Sequence, residues 1–158
     1  MTQASQPQLL SSGEVPLSGG MLWVAAMVLA AANFIAVLNL TLANVSVPSI
    51  AGSLGATTSQ GIWVITSFAV GEAITVPLTG WLAGRFGSVR VFVSSLLLFT
   101  LFSALSGVST TLGLLVVARM FQGVAAGPLM PLSQTLLLRI FPREKAAVAI
   151  AIWSMTTT

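Results

Sequence analysis

The chain has 158 residues, of which 56% are hydrophobic and 6% are charged, and its formal net charge is +3. Soluble globular domains carry about 25% charged residues, so this composition excludes an ordinary water-soluble fold and indicates a membrane protein. The six basic residues form no dense patch, and nucleic-acid binding is therefore not expected, because affinity for phosphates needs several basic side chains acting together. There is no cysteine and no histidine. Disulfides are thus excluded, and we expect neither a metal nor another cofactor.

Residues 1–20 precede the first apolar run, are rich in Ser, Gln, Gly and Pro, and carry one charge, Glu14. This composition is typical of a disordered tail. A cleaved signal peptide fits less well, because no basic segment precedes the apolar run and that run is too long. We expect residues 21–158 to form the membrane domain.

The apolar residues come in long runs rather than in amphipathic stripes. A membrane-spanning helix needs about 20 mostly apolar residues. Four runs reach that length, at about residues 22–46, 61–82, 89–107 and 112–132. A fifth run, 146–158, is too short to span. The sequence therefore predicts an all-α, polytopic membrane protein with four complete spans and the start of a fifth.

Positive charges predict the orientation of these spans. The connection after the second span holds Arg85 and Arg90, and the one after the fourth holds Arg139, Arg143 and Lys145. The connections after the first and third spans hold no charge. Because basic residues are enriched in cytoplasmic loops, we expect the N-terminus and both basic connections to be cytoplasmic.

Glu72 and Arg119 are the only ionisable residues well inside the spans. Each costs at least ~2.5 kcal/mol at the bilayer centre, so both should face the bundle interior or a water-filled cavity. Arg119 lies ~10 Å below the outer end of the fourth span, and Asn39 lies at a similar depth in the first. Gln122 adds a further polar group to the fourth span. For Glu72 and Arg119 this favours a proton-coupling or cavity site over side chains that only hold the helices together. Asn39 and Gln122 are candidates for the same site, and for Asn39 both interpretations stay open.

The fourth span also concentrates glycine and proline. Gly123 and Gly127 form a GxxxG step that allows close helix packing. Pro128 and Pro131 each remove a backbone donor and should bend the helix. One interpretation is plain packing and kinking, and the other is a bent helix that lines a transport site.

Three segments together resemble the motifs of a known family. Residues 38–48 (LNLTLANVSVP) are similar to the first-helix signature of the fourteen-helix drug:proton antiporters, the EmrB/QacA subfamily of the major facilitator superfamily. Residues 80–90 (GWLAGRFGSVR) resemble the superfamily's motif between helices two and three. Residues 119–128 (RMFQGVAAGP) resemble the fourth-helix motif, whose arginine is linked to proton transfer. The residues that carry the second motif are Gly80, Arg85, Gly87 and Arg90.

The resemblance implies a bundle of twelve or fourteen helices whose central cavity opens alternately to each face of the bacterial inner membrane. It also implies export of hydrophobic, often cationic compounds driven by proton entry, together with a periplasmic adaptor and an outer-membrane channel. Four aromatic residues would suit such ligands if they line the cavity: Trp63, Phe68, Phe121 and Trp153.

Two other kinds of function stay open, because such motifs report the scaffold rather than the substrate. One is transport of a specific metabolite, and the other is a truncated membrane protein that does not transport. An enzyme is not expected, since paired carboxylates, histidine, cysteine and a phosphate-binding loop are all missing from the sequence.

Two positions depart from the family pattern. The first-helix signature normally has an acid where this chain has Asn39, and the loop motif often has Asp where it has Gly84. Asparagine cannot titrate, so three explanations remain. Glu72 carries the proton, coupling depends on residues beyond Thr158, or this copy is impaired. If Glu72 lies near Arg119, Glu72 could change between its protonated and ionised forms as access to each face of the membrane changes.

Overall fold

A computed structural model describes residues 20–141 and 146–155. Within these ranges the chain forms helices and no strand: α1 (Gly20–Ser53), α2 (Thr58–Phe86), α3 (Ser88–Gly107), α4 (Leu112–Ala126), α5 (Leu129–Ile140) and α6 (Ala146–Met155). Four stretches are long and apolar enough to cross a membrane: Trp23–Ser53, Ser59–Phe86, Ser88–Gly107 and Leu112–Ile140. The prediction of an all-α, polytopic membrane protein is confirmed. Several predicted features lie outside the described residues, namely the tail except Gly20, Arg143, Lys145 and residues 156–158.

The first helix is longer than the span predicted for it. Residues 22–46 were expected, but α1 continues through Pro48 to Ser53. The added turns are held by packing on α2, because Gly61 lies against the side chains of Val47 and Ala51. Both of those side chains are buried.

The second helix also extends beyond its predicted limits of 61 and 82. At its start, the Thr57 hydroxyl accepts a hydrogen bond from the Gln60 amide (3.3 Å), and the Gln60 side chain accepts one from the Thr57 amide (3.0 Å). This capping box satisfies amides that the helix leaves free. At its end, α2 reaches Phe86 and stops at Gly87. Arg85 therefore lies in the last helical turn rather than in a loop.

The fourth predicted span consists of two helices in line. Helix α4 ends at Ala126, and α5 continues to Ile140, beyond the predicted limit of residue 132. The break falls at Gly127 and Pro128, two of the residues expected to bend the helix, and the bend itself stays a prediction. Both residues keep right-handed helical angles (φ −50°, ψ −44° and φ −73°, ψ −19°), so the chain continues as one interrupted span. Pro131 lies in the first turn of α5, where a missing amide donor costs little.

The helices pack into one bundle, in which α2 and α4 run parallel and make the most extensive contact. Helix α5 packs against α1 and α3 around a core that includes Leu29, Phe92, Phe99, Leu132 and Leu137. Helix α6 is joined to α5 by a hydrogen bond of 3.1 Å from the Trp153 indole nitrogen to the Ser133 hydroxyl. This arrangement puts α1, α2 and α4 side by side around the polar residues of the membrane interior.

Candidate functional site

A seam of glycines brings α2 and α4 into backbone contact. A Cβ atom at Gly71 would fall on the carbonyl oxygen of Met120, and one at Gly123 would fall on that of Phe68. A Cβ at Gly127 would lie 2.9 Å from the Thr75 Cβ. The GxxxG step of α4 therefore sets the distance between the two helices that carry Glu72 and Arg119, as close helix packing requires.

The α2 side of this seam was missed in the sequence. Ser67, Gly71, Thr75 and Thr79 recur every fourth residue, and all four are buried. Small residues at this spacing are a signal for close packing of membrane helices. The pattern could have been found, because a helix face carries residues four apart.

Arg119 is anchored to the first helix. Its Nη1 atom donates a hydrogen bond of 2.7 Å to Oδ1 of Asn39, joining α4 to α1. The two side chains therefore lie at the same depth, in agreement with the depth estimated from the sequence. Both are half-buried, so Arg119 does not face open lipid alone. The Nε atom of Arg119 is buried and makes no hydrogen bond within the described part of the chain.

Arg119 also lines a cavity of about 340 Å³ at the end of the bundle where α1 and α3 finish. Four hydroxyl groups line the same cavity: Ser53, Ser103, Ser106 and Ser109. The Ser106 oxygen is buried and has no partner among the described residues. The cavity thus gives the guanidinium group a polar approach from that end of the bundle. These serines were not predicted as site residues from the sequence.

Gln122 lies one turn further along α4 and is fully buried. Neither its amide nitrogen nor its amide oxygen has a hydrogen-bond partner in the residues that the structure describes. A buried amide without partners is costly, since each unsatisfied polar group carries a desolvation penalty of about 1–3 kcal/mol. Gln122 therefore offers a donor and an acceptor inside the bundle.

Glu72 occupies a different position from the one that pairing with Arg119 would need. Its backbone lies against Gly123, and its side chain lines a cavity of about 150 Å³ with residues of α1, α4 and α5, among them Thr41 and Met130. No ion pair or side-chain hydrogen bond of Glu72 occurs within the described residues. The suggested Glu72–Arg119 pair is therefore not formed, and the guanidinium binds Asn39 instead.

The four aromatic residues considered as cavity walls do not meet in one place. Phe68 lines the Glu72 cavity, whereas Phe121 stacks on Phe102 with ring centroids 5.3 Å apart and faces a separate groove. Trp63 is 61% exposed near the start of α2, and Trp153 bonds to Ser133. Among the described cavities, none is lined by all four.

The motif between α2 and α3 lies at the end of the bundle that carries Arg85, Arg90 and Arg139. Gly87 has a positive φ of 88° and separates the two helices. Arg85 lies 6.0 Å from the centre of the Phe86 ring. Cβ atoms at Gly80 and Gly84 would meet open space. The positive φ at Gly87 explains a glycine there, because residues with a side chain rarely adopt that conformation.

The described residues contain no cluster of His, Cys, Asp or Glu that could hold a metal ion.

Comparison with known proteins gives a family match over most of the chain. Residues 29–158 match the family model of the Major Facilitator Superfamily. Multidrug export protein EmrB of Haemophilus influenzae is 52% identical over 141 residues, which are 89% of this chain and 28% of that protein. Probable multidrug resistance protein EmrY of Escherichia coli is 49% identical over 148 residues, 94% of this chain and 29% of that protein. Fatty acid resistance protein FarB of Neisseria gonorrhoeae is 50% identical over 141 residues, again 89% and 28%. The chain thus spans less than a third of the length of these relatives.

Proposed function

This chain belongs to the major facilitator superfamily, and we propose that it forms the first helices of a proton-coupled exporter of hydrophobic and cationic compounds. The proposal rests on the sequence identity between this chain and proteins named for multidrug export. That identity is 52% and 49% over stretches that include all four spans. The substrate would move by alternating access, without a chemical step on it. The proposal includes a multi-pass location in the bacterial inner membrane, with the N-terminus in the cytoplasm.

The polar site between α1, α2 and α4 supports proton coupling. In this proposal Arg119 and Asn39 form the contact that opens or closes with the state of the transporter. Gln122 supplies a second polar contact for water or substrate. Glu72 is the carboxyl group in the spans without an ion-pair partner among the described residues, so it is the candidate for binding the exchanged proton, as isolated membrane acids do in proton relays.

The motif at Gly80, Arg85, Gly87 and Arg90 would control the movement between states. The region from Gly123 through Gly127 and Pro128 to Pro131 would bend and let α4 and α5 move relative to α2. A periplasmic adaptor and an outer-membrane channel are further proposed partners, and they rest on the resemblance to exporters of this type. No nucleic acid takes part in this proposal.

Proton-driven export is tested with the complete protein in liposomes. Addition of a cationic drug should release protons, measured with a pH-sensitive dye. Glu72→Gln should abolish this release, because the amide mimics a permanently protonated acid, while Glu72→Asp should keep part of it. Normal transport against a pH gradient by Glu72→Gln would show that the proton carrier lies elsewhere.

A second substrate class deserves testing because one relative is named for fatty acid resistance and is nearly as similar as the multidrug proteins. The same liposomes can be challenged with a long-chain fatty acid instead of a drug. Proton release with the fatty acid alone would favour that substrate. Release with structurally unrelated cationic drugs would favour multidrug export.

A further inference from the structure

A groove of about 680 Å³ runs between α2, α3 and α4, on a different face of α4 from Arg119. It shares no lining residue with the Glu72 cavity. Its walls are mostly apolar, with Leu82, Val91, Leu98, Val124 and Pro128 among them. Two of the three hydroxyl groups in the wall bond to their own helices, from Thr75 to the Gly71 carbonyl (2.9 Å) and from Ser94 to the Val91 carbonyl (3.0 Å). The groove therefore presents a long apolar surface.

One end of the groove is basic. Phe86 and Arg90 line both the groove and a neighbouring cavity of about 380 Å³, so the two spaces lie next to each other. Arg139 lines the adjoining cavity as well. The first turn of α3 forms its floor, and Gly87 provides no side-chain cap there, so free helical amides add positive charge. Among the described lining residues, none is acidic.

The length of the groove matches one leaflet of a bilayer. Arg90 and Phe102 both line it and are twelve residues apart on α3, which corresponds to ~18 Å along a helix. Half of the hydrocarbon thickness is ~15 Å. At the end away from Arg90, the groove is lined by the stacked rings of Phe102 and Phe121.

We propose that this groove binds one anionic phospholipid, with its phosphate on Arg90 and Arg139 and an acyl chain along α2, α3 and α4. Guanidinium groups bind phosphate oxygens with two parallel hydrogen bonds. Basic pockets at the membrane surface between helices bind anionic headgroups. A free phosphate ion would use only the mouth of the groove, and a neutral lipid would use only its apolar walls. The combination of both selects an anionic lipid.

The test measures lipid retention by the complete protein, purified in detergent and mixed with equal amounts of dioleoyl phosphatidylglycerol and dioleoyl phosphatidylcholine. Native mass spectrometry should show one retained phosphatidylglycerol. In the double variant Arg90→Gln/Arg139→Gln, the preference for phosphatidylglycerol over phosphatidylcholine should fall roughly tenfold. Each basic residue at the membrane surface raises the affinity for an anionic lipid several-fold. Arg85→Gln is the matched control, because Arg85 lies at the same end but lines neither space. Equal retention of both lipids, or of neither, by the unchanged protein would overturn the proposal.

A second pair of variants separates a lipid from a free anion. Ser94→Trp should fill the groove and abolish retention of phosphatidylglycerol while both arginines remain. Val93→Trp carries the same bulk on the neighbouring residue, which is exposed and outside the groove, and should retain the lipid. If phosphatidylglycerol stays bound in Ser94→Trp, the mouth alone binds the anionic headgroup and the proposal is wrong.

Discussion

The Arg119 guanidinium group donates a hydrogen bond of 2.7 Å to the side-chain oxygen of Asn39, across a separation of 80 residues in the chain. This contact joins the first and fourth spans at the depth where the family's acid is expected. An asparagine there accepts one hydrogen bond from the guanidinium group but does not neutralise its positive charge. The positive charge of Arg119 is therefore left uncompensated by any acid within the described residues.

Asn39→Ala should destabilise the protein by about 1–2 kcal/mol. Hydrogen bonds to charged groups contribute ~1.5–3 kcal/mol in soluble proteins, but interhelical bonds in membranes average only ~0.6. The buried Nε atom already lacks a partner, so loss of the Nη1 bond should fall above the membrane average. Thermal unfolding in detergent measures the change. Asn44→Ala, at an exposed position on the same helix, should have little effect. Equal losses in both variants would contradict a specific role of the contact.

Gly123→Ala should lower stability by about 1–3 kcal/mol, the usual cost of forcing extra atoms into a packed interior. The added methyl group would fall on the Phe68 carbonyl, and backbone cannot move away as a flexible side chain can. Gly113→Ala is the control on the same helix, because a Cβ there meets open space. It should be neutral or slightly stabilising, since alanine is the better helix former. Denaturation by SDS provides the measurement. If Gly123→Ala is as stable as the unchanged protein, α2 and α4 are not in backbone contact at Gly123.

The spans themselves could be predicted because hydrophobic thickness fixes the length of an apolar run. Depth could be predicted for the same reason, which is why Asn39 and Arg119 were expected at one level. Depth does not give the direction of a side chain about its helix axis, and the suggested Glu72–Arg119 pair was wrong on that account. The end of α1 at Ser53 was missed because residues 47–53 contain Pro48, Gly52 and two serines, which favour a loop in sequence. Their packing on Gly61 accompanies the helix that the structure shows.

The orientation of the bundle can be tested directly because this segment has no native cysteine. Single cysteines are placed at Ser53, after the first span, and at Ser88, between the second and third. A membrane-impermeant maleimide should label Ser53→Cys from outside the cell and Ser88→Cys only after the membrane is opened. Labelling in the reverse order would overturn a cytoplasmic N-terminus.

Gly87→Ala should cost about 1–3 kcal/mol through backbone strain alone. Gly87 has φ 88° and ψ 136°, a region that side chains rarely adopt, although a Cβ there would meet no neighbour. Gly84 also has open space around it but is helical, so Gly84→Ala should be neutral or stabilising. Thermal unfolding of the two variants separates strain from crowding. Similar stability of both would mean that the α2–α3 turn can adopt another conformation.

Asn39→Asp should return a carboxyl group to the place where the family has its acid. The two side chains have the same shape, so the new carboxylate would lie within hydrogen-bond distance of the Arg119 guanidinium. We expect stronger drug-induced proton release by the complete protein in liposomes, because a titratable group would then sit at the contact between α1 and α4. The informative comparison is the double variant Asn39→Asp/Glu72→Gln. If Glu72 carries the proton in the natural sequence, the single Glu72→Gln variant should be uncoupled and the double variant should regain proton release. Asn44→Asp in the same Glu72→Gln background is the control for adding an acid elsewhere on α1, and it should not rescue. Rescue by Asn44→Asp would show that position 39 has no special part in coupling, and full coupling in Glu72→Gln alone would show that Glu72 does not carry the proton.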